Sequence, residues 1–182
     1  MSWIIDSSHT RVTFSVRHMM VANVHGQFET IEGKVDFNPD HPDQTSVDLR
    51  IDAASITTRD AQRDAHLRSP DFFDTDRYPY LLFKSKRVEV LDDKHGRLVG
   101  DLTIRDVTKE VALDVEYNGT YKNPWGKLVA GFGGTTKINR KDWGLNWNVA
   151  LETGGWLVSD SIAINIDLEI VQQPEVVEAA AA

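Results

Sequence analysis

The sequence predicts an all-β fold of about eight strands, closed into a barrel or stacked as two sheets, with a short helix and loop over one end. Three observations predict it. Apolar and polar residues alternate along most of the chain, and turn-forming clusters separate the alternating runs. One charged, helix-like stretch, "TTRDAQRDAHLRSPDFFDTDRYPYLLFKS" (57–85), interrupts the pattern.

The elements follow in order. Val12, Phe14 and Val16 alternate with Thr13, Ser15 and Arg17 in a first strand expected over 10–18. Val35 and Phe37 mark the second, 24–38, and Val47, Leu49 and Ile51 the third, 45–53. Leu81/Phe83 and Val88/Val90 set the fourth at 80–91, and Leu102/Ile104 the fifth at 97–105. Val111, Leu113, Val115 and Tyr117 set the sixth at 109–120. The seventh, 127–139, contains "GFGGTT" (131–136), whose glycines read as bulges or a thin wall. Ile162, Ile164, Ile166, Leu168 and Ile170 make the last, 160–171, the clearest. A period of two places one set on each face of a sheet, here one apolar and one wet. "NPDHPD" (38–43), "DDKHG" (92–96) and "YKNPWG" (121–126) read as turns, as does Asn118-Gly119. An eight-stranded barrel is wide enough to be filled by side chains or to hold one small ligand.

The interrupting stretch lacks β-branched residues and glycine over "RDAQRDAHLR". Thr57 or Thr58 is the expected helix cap, and Ser69-Pro70 the stop. Ala61, Ala65 and Leu67–Arg68 give the helix only a thin apolar stripe, and Phe72, Phe73 and Tyr78 follow. A short helix cannot cross a barrel, but it can lie over an open end as a lid; the plainer reading is a crossover whose phenylalanines plug the core.

A chain of 182 residues is most simply one domain, expected over 1–171, with 172–182 a disordered tail. The formal net charge of −8, without a Lys/Arg run, argues against a nucleic-acid partner and against electrostatic docking to anionic lipids. The absence of cysteine excludes disulfides and Cys-ligated zinc. No apolar run approaches the ~18–20 residues of a membrane-spanning helix. "MSWIIDSSHTRVTF" lacks the pattern of a signal peptide, so a cytoplasmic location is expected, or a periplasmic or secreted one if the chain is a mature form.

The six histidines show no HxH or HExxH spacing, and no metal site is expected. His41 and His95 fall in turns, whereas His18 continues the face of Val12, Phe14 and Val16. There it is either a satisfied core residue or a polar group facing a ligand head. Asp106, Asp142 and Asp160 sit near strand ends, where carboxylates either act in pairs or are simply solvated. Trp125, Trp143, Trp147 and Trp156 either wall a ligand or close one end of the barrel.

From "FSVRH" (14–18) and "VHGQFETIEGKVDF" (24–37) onward, the chain resembles the YceI-like family of lipid-binding proteins. The resemblance continues through the interrupting stretch, "LVGDLTIRDVTKEVAL" (98–113), "INRKDWGLN" (138–146) and "VSDSIAINIDLE" (158–169), and covers residues 3–170. It implies an extended eight-stranded antiparallel barrel, lipocalin-like, with lids and an apolar tunnel for a polyisoprenoid chain or isoprenoid quinone. It implies no catalytic residues and permits a homodimer; no cofactor beyond the bound lipid and no stable membrane insertion are expected. Carried over by position, the resemblance makes Phe14, Val16 and His18 lining residues and Phe72, Phe73 and Tyr78 mouth residues, with Phe83 facing inward. Phe28, Phe37 and Trp143 complete the expected ligand-binding set, Trp143 standing where the family's pattern has Phe. Asp106 replaces a glycine of that pattern, which reshapes one turn. The rival readings are an isoprenoid isomerase or cyclase with His18 as acid–base group, and a fully packed barrel acting as an interaction module.

Overall fold

Each alternating run becomes a strand, and the strands close on one another. In the computed structural model, which describes residues 2–173, the strands are β1 (Ser2–Ile5), β2 (Arg11–His18), β3 (Ala22–Phe28), β4 (Ile31–Asp36), β5 (Ser46–Asp52) and β6 (Ile56–Thr57). After helix α1 (Ala61–Arg68) come β7 (Tyr80–Val90), β8 (His95–Ile104), β9 (Val107–Lys122), β10 (Leu128–Asn139) and β11 (Val158–Gln172). All pairings are antiparallel, and β1 hydrogen-bonds both β4 and β11, which closes an eight-stranded barrel in the order β1-β4-β5-β7-β8-β9-β10-β11. Gln172 still pairs with Trp3 and the Gln173 amide donates to the Ser2 carbonyl at 3.1 Å, so the first two residues of the expected tail belong to the barrel; the rest of that expected tail, 174–182, lies outside the described residues.

Three more strands raise the wall on one side. β11 pairs β1 through Ile170–Gln172 and β2 through Val158–Asp167, so β1 and β2 behave as one strand broken at 6–10. The expected strand 24–38 is likewise two, β3 and β4, parted at Glu29 and Thr30. Ser55 explains the break: its hydroxyl accepts both amides, each at 3.1 Å, and donates to the Asp52 carbonyl at 2.6 Å. Asn118-Gly119 is no turn. Gly119, at φ +109°, lies within β9 opposite the bulge between Gly131 and Phe132, so both glycine-rich stretches serve one irregularity in the wall.

Helix α1 is capped by Asp60 rather than by Thr57 or Thr58: its carboxylate accepts the Arg63 amide at 2.9 Å. Arg59, at φ 63°, turns the chain so that Thr58 faces the helix instead, and the buried Asp64 carboxylate accepts the Thr58 amide at 2.8 Å and hydroxyl at 2.5 Å. Arg68 reaches back to the carbonyls of Ala54 (2.9 Å) and Ile56 (3.0 Å), which fastens the helix to the barrel rim. Ala61 and Ala65 are exposed, so of the expected stripe only Leu67 packs on the core, while Arg68 holds the rim. Asp64→Ala is expected to cost about 1–3 kcal/mol, because it leaves two buried donors of Thr58 unpaired. Urea unfolding reads this as a lower midpoint at unchanged slope, and an unchanged midpoint would contradict it.

Candidate functional site

The inward residues do not fill the barrel. A cavity of ≈ 200 Å³ lies beneath α1, walled by Val12, Phe14 and Val16 of β2, Phe28 of β3, Phe83 of β7 and Ile162, Ile164 and Ile166 of β11, among others. Phe14, Val16, Ile162 and Ile164 face inward yet stay only partly buried, because they border this space. Bare wall helps to keep it open. A Cβ on Gly26 would fall 2.3 Å from the Phe14 ring, and one on Gly100 would fall 2.6 Å from the Phe83 ring, so each phenylalanine lies flat against a glycine. Gly26→Ala is therefore expected to swing Phe14 into the lumen and shrink the cavity. Equilibrium binding of an apolar fluorophore should weaken several-fold, and an unchanged affinity would argue against this use of Gly26.

Two segments cover the cavity. Leu67, Phe72 and Phe73 reach in from α1 and the loop after it. From the other side comes the 140–157 segment, which brings Leu145 to the lining and Trp147 against the first cover. The ring centroid of Trp147 lies 4.6 Å from that of His66 and 5.4 Å from that of Phe72, and His66 pairs with Asp71 at 2.8 Å. An aromatic seam thus joins the two covers.

All but two lining side chains are apolar, and the exceptions, Thr136 and Arg140, are satisfied by the backbone. Thr136 donates to the Ala112 carbonyl at 2.8 Å. Arg140 has a side chain only 4% exposed and donates to the carbonyls of Leu145 (2.6 Å), Trp147 (2.9 Å) and Ser159 (3.0 Å). Burial pushes its pKa down, opposed by Asp160 at 3.5 Å, which also pairs with Lys141 at 3.1 Å. No nucleophile–base pair or carboxylate pair belongs to this lining. It offers dispersion contacts and exclusion of water.

At the far end a wider chamber of ≈ 460 Å³ opens between Val35, Phe37, Val47, Val115, Tyr117 and Phe132, with Asp92, Asp93, Lys94 and Arg97 among its other lining residues. Phe37, Tyr117 and Phe132 form an aromatic trio with centroids 5.1–5.5 Å apart. Leu98 borders both spaces and so marks the waist between them.

Of the residues expected from sequence, Phe14, Val16, Phe28, Phe72, Phe73 and Phe83 surround the near cavity. Four do not. Phe37 faces inward at the opposite end. His18 is half-buried at the top of β2, above the closed part of the lumen and outside the lining, because alternation gives its face but not its height. Tyr78 stands at the rim between Arg77 and Arg105, whose guanidinium carbons lie 5.2 and 5.8 Å from its ring. Trp143 is buried in solid core, donating to the Leu102 carbonyl at 3.0 Å. The four tryptophans make no single wall: Trp143 is core, Trp147 belongs to the seam, and Trp125 and Trp156 are exposed. Asp106 and Asp142 are solvated, while Asp160 balances Arg140. Sequence reasoning missed Arg140 and the β11 isoleucines as lining. On the outer wall, Asp6, His9 and Glu169 bring potential metal-ligating atoms within 4.8 Å of one another, but Asp6 and His9 are engaged in the β1–β2 turn, where Ser8 and His9 hold the Asp6 carboxyl below its usual range.

Comparison with known proteins agrees with this architecture. The profile described as a YceI-like domain matches residues 3–170. A UPF0312 protein of Staphylococcus aureus (strain N315) is 36% identical over 169 residues, covering 92% of this chain and 96% of the relative. The crystal structure of the Campylobacter jejuni YCEI protein superposes with a TM-score of 0.76 at 32% identity, over 87% of this chain and 90% of the other. A polyisoprenoid binding domain from Saccharophagus degradans shares the fold at 13% identity, with a TM-score of 0.66 over 94% and 98% of the two chains. By its sequence and by its barrel, the chain belongs to the YceI-like family.

Proposed function

We propose that the protein binds and carries an apolar isoprenoid, a polyprenyl lipid or an isoprenoid quinone, threaded through its barrel. The observation that carries this reading is the covered lumen, whose lining is apolar apart from two residues already satisfied by the backbone. The name of the Saccharophagus relative is compatible with it, but at 13% identity the ligand class rests on the cavity itself. With His18 outside the lining, the rival enzyme reading lacks its acid–base group at the cavity.

The volumes bear on chain length. An apolar cavity of about 150 Å³ takes one benzene, roughly the bulk of a five-carbon isoprene unit. The near cavity, ≈ 200 Å³, then suits about one unit and the far chamber, ≈ 460 Å³, about three. A chain of about four units fills both by passing Leu98, and the aromatic trio offers flat faces to the isoprene units or to a quinone ring. At ~0.8 kcal/mol per methylene, four units release about 12–16 kcal/mol. That is within the practical ceiling near 20 kcal/mol, before ordering costs are subtracted.

Titration with geraniol (two units) and geranylgeraniol (four) tests this. The longer alcohol is expected to bind at least tenfold more tightly, and Leu98→Trp to erase most of that preference by blocking the waist. Equal affinities in the unmodified protein would contradict the two-chamber reading, and no affinity for either alcohol would contradict the carrier.

A further inference from the structure

We propose that the β2–β3 turn, together with the hairpin formed by residues 149–157, is a docking face that dips into the surface of an electrically neutral lipid bilayer. The inference rests on the carrier reading, since a bound isoprenoid needs a route that avoids water. It starts from an unusual turn. Met19 (φ 51°) and Met20 (φ 64°) both occupy the left-handed region, which ordinarily selects glycine or asparagine. Long side chains there are unfavourable for the backbone, and such strain is found where a tip has a task. Both are well exposed, Met20 at 60%, and Val21 beside them at 79%.

The turn is not a loose end. The Met19 amide donates to the Leu157 carbonyl at 2.8 Å, and the Leu157 amide to the Val149 carbonyl at 2.9 Å. Ala150 bridges Trp156 across the small hairpin, and the Met20 side chain lies against Gly155, where a Cβ would meet its sulfur at 3.4 Å. Met19, Met20, Val21, Val149 and the 55%-exposed Trp156 thus make one apolar corner. That corner adjoins the lumen: Val16, a turn away along β2, and Val158, next to Leu157, both line the near cavity.

Size and charge select the partner. Five side chains fall far short of the roughly 20–30 residues per side of a stable protein interface, which disfavours a second copy. A flexible methionine pair with a neighbouring tryptophan suits an interfacial zone that surface-bound elements enter by about 5–10 Å. The net charge of −8 favours neutral over anionic lipids. At the other end of the barrel Leu91, Tyr121 and Trp125 are also exposed, but Asp92, Asp93, Lys122 and Lys127 interrupt them, whereas Met19–Val21 is continuous and the 149–157 hairpin carries one charge, Glu152.

The test uses phosphatidylcholine vesicles and the double variant Met19→Asn, Met20→Gly, whose residues suit the left-handed turn and so keep the fold. Neither methionine belongs to the cavity lining. The unmodified protein is expected to float with the vesicles, with a blue shift of emission that Trp156→Phe removes. The double variant should lose at least fivefold in the bound fraction and in the rate of drawing geranylgeraniol out of vesicles. Its affinity for geranylgeraniol dispersed in solution should not change. Flotation and transfer unchanged in the double variant would overturn the docking face, as would a protein dimer that the same variant dissolves. Failure of the unmodified protein to bind dispersed geranylgeraniol would instead overturn the carrier reading, and with it the transfer half of the proposal.

Discussion

Val16→Asp is expected to give a folded protein that purifies without lipid. Val16 borders the near cavity and is only partly buried, so its replacement disturbs little packing but places a carboxyl against the path of the ligand. An apolar chain passing that carboxyl either strips water from the charged form or forces it to take a proton, which raises its pKa. Both routes oppose binding. A loss of at least 100-fold in geranylgeraniol affinity follows, about 2.8 kcal/mol at 1.4 kcal/mol per tenfold. Phe14→Asp should act alike, with an added cost from the lost contact with Phe28, 5.9 Å between centroids. A Val16→Asp protein that holds lipid in normal amount would show that the chain does not run through this cavity.

The second large effect belongs to Arg140, and it is one of stability. Its guanidinium is the common anchor of a long excursion of the chain, tying Leu145 and Trp147 on one side to Ser159 on the other. Arg140→Leu would leave those carbonyls without their charged donor while keeping the apolar bulk. Each buried acceptor left unpaired costs about 1–3 kcal/mol, so losing the group costs about 3–5 kcal/mol. For a chain of this size that corresponds to a fall in Tm on the order of 10 °C. Arg140→Lys is expected to fall nearly as far, because one ammonium cannot reproduce a planar fork of donors. Thermal unfolding followed by circular dichroism measures both. A change under about 1 kcal/mol in either variant would mean that the segment is held by its apolar contacts alone.

The strands were readable because a half-buried wall imposes a period of two, and the β11 isoleucines show it without interruption. The breaks in the wall were not, because they depend on distant partners: nothing near Glu29 announces that Ser55 will take its amide. The cap of α1 was misplaced for a similar reason. Thr57 and Thr58 resemble caps locally, but the left-handed Arg59 and the carboxylate of Asp64 redirect Thr58. In the lumen, alternation tells which way a side chain points but not how far along the axis it sits. Hence Phe14, Phe37 and His18 look equivalent in sequence, yet they fall in the near cavity, the far chamber and the rim. Arg140 was hidden by its chemistry, since a charged residue is the last type expected in an apolar lining. Its one signal is its place in "INRKDWG", between the end of β10 and the covering segment.

Organic extraction of the natively purified protein, followed by mass spectrometry, reads out whether the lumen holds an isoprenoid chain. The expected extract contains an isoprenoid species in a ratio near one per protein, absent from Val16→Asp prepared in the same way. An extract without isoprenoid, still empty after the protein has been incubated with polyprenols and isoprenoid quinones, would contradict the carrier reading.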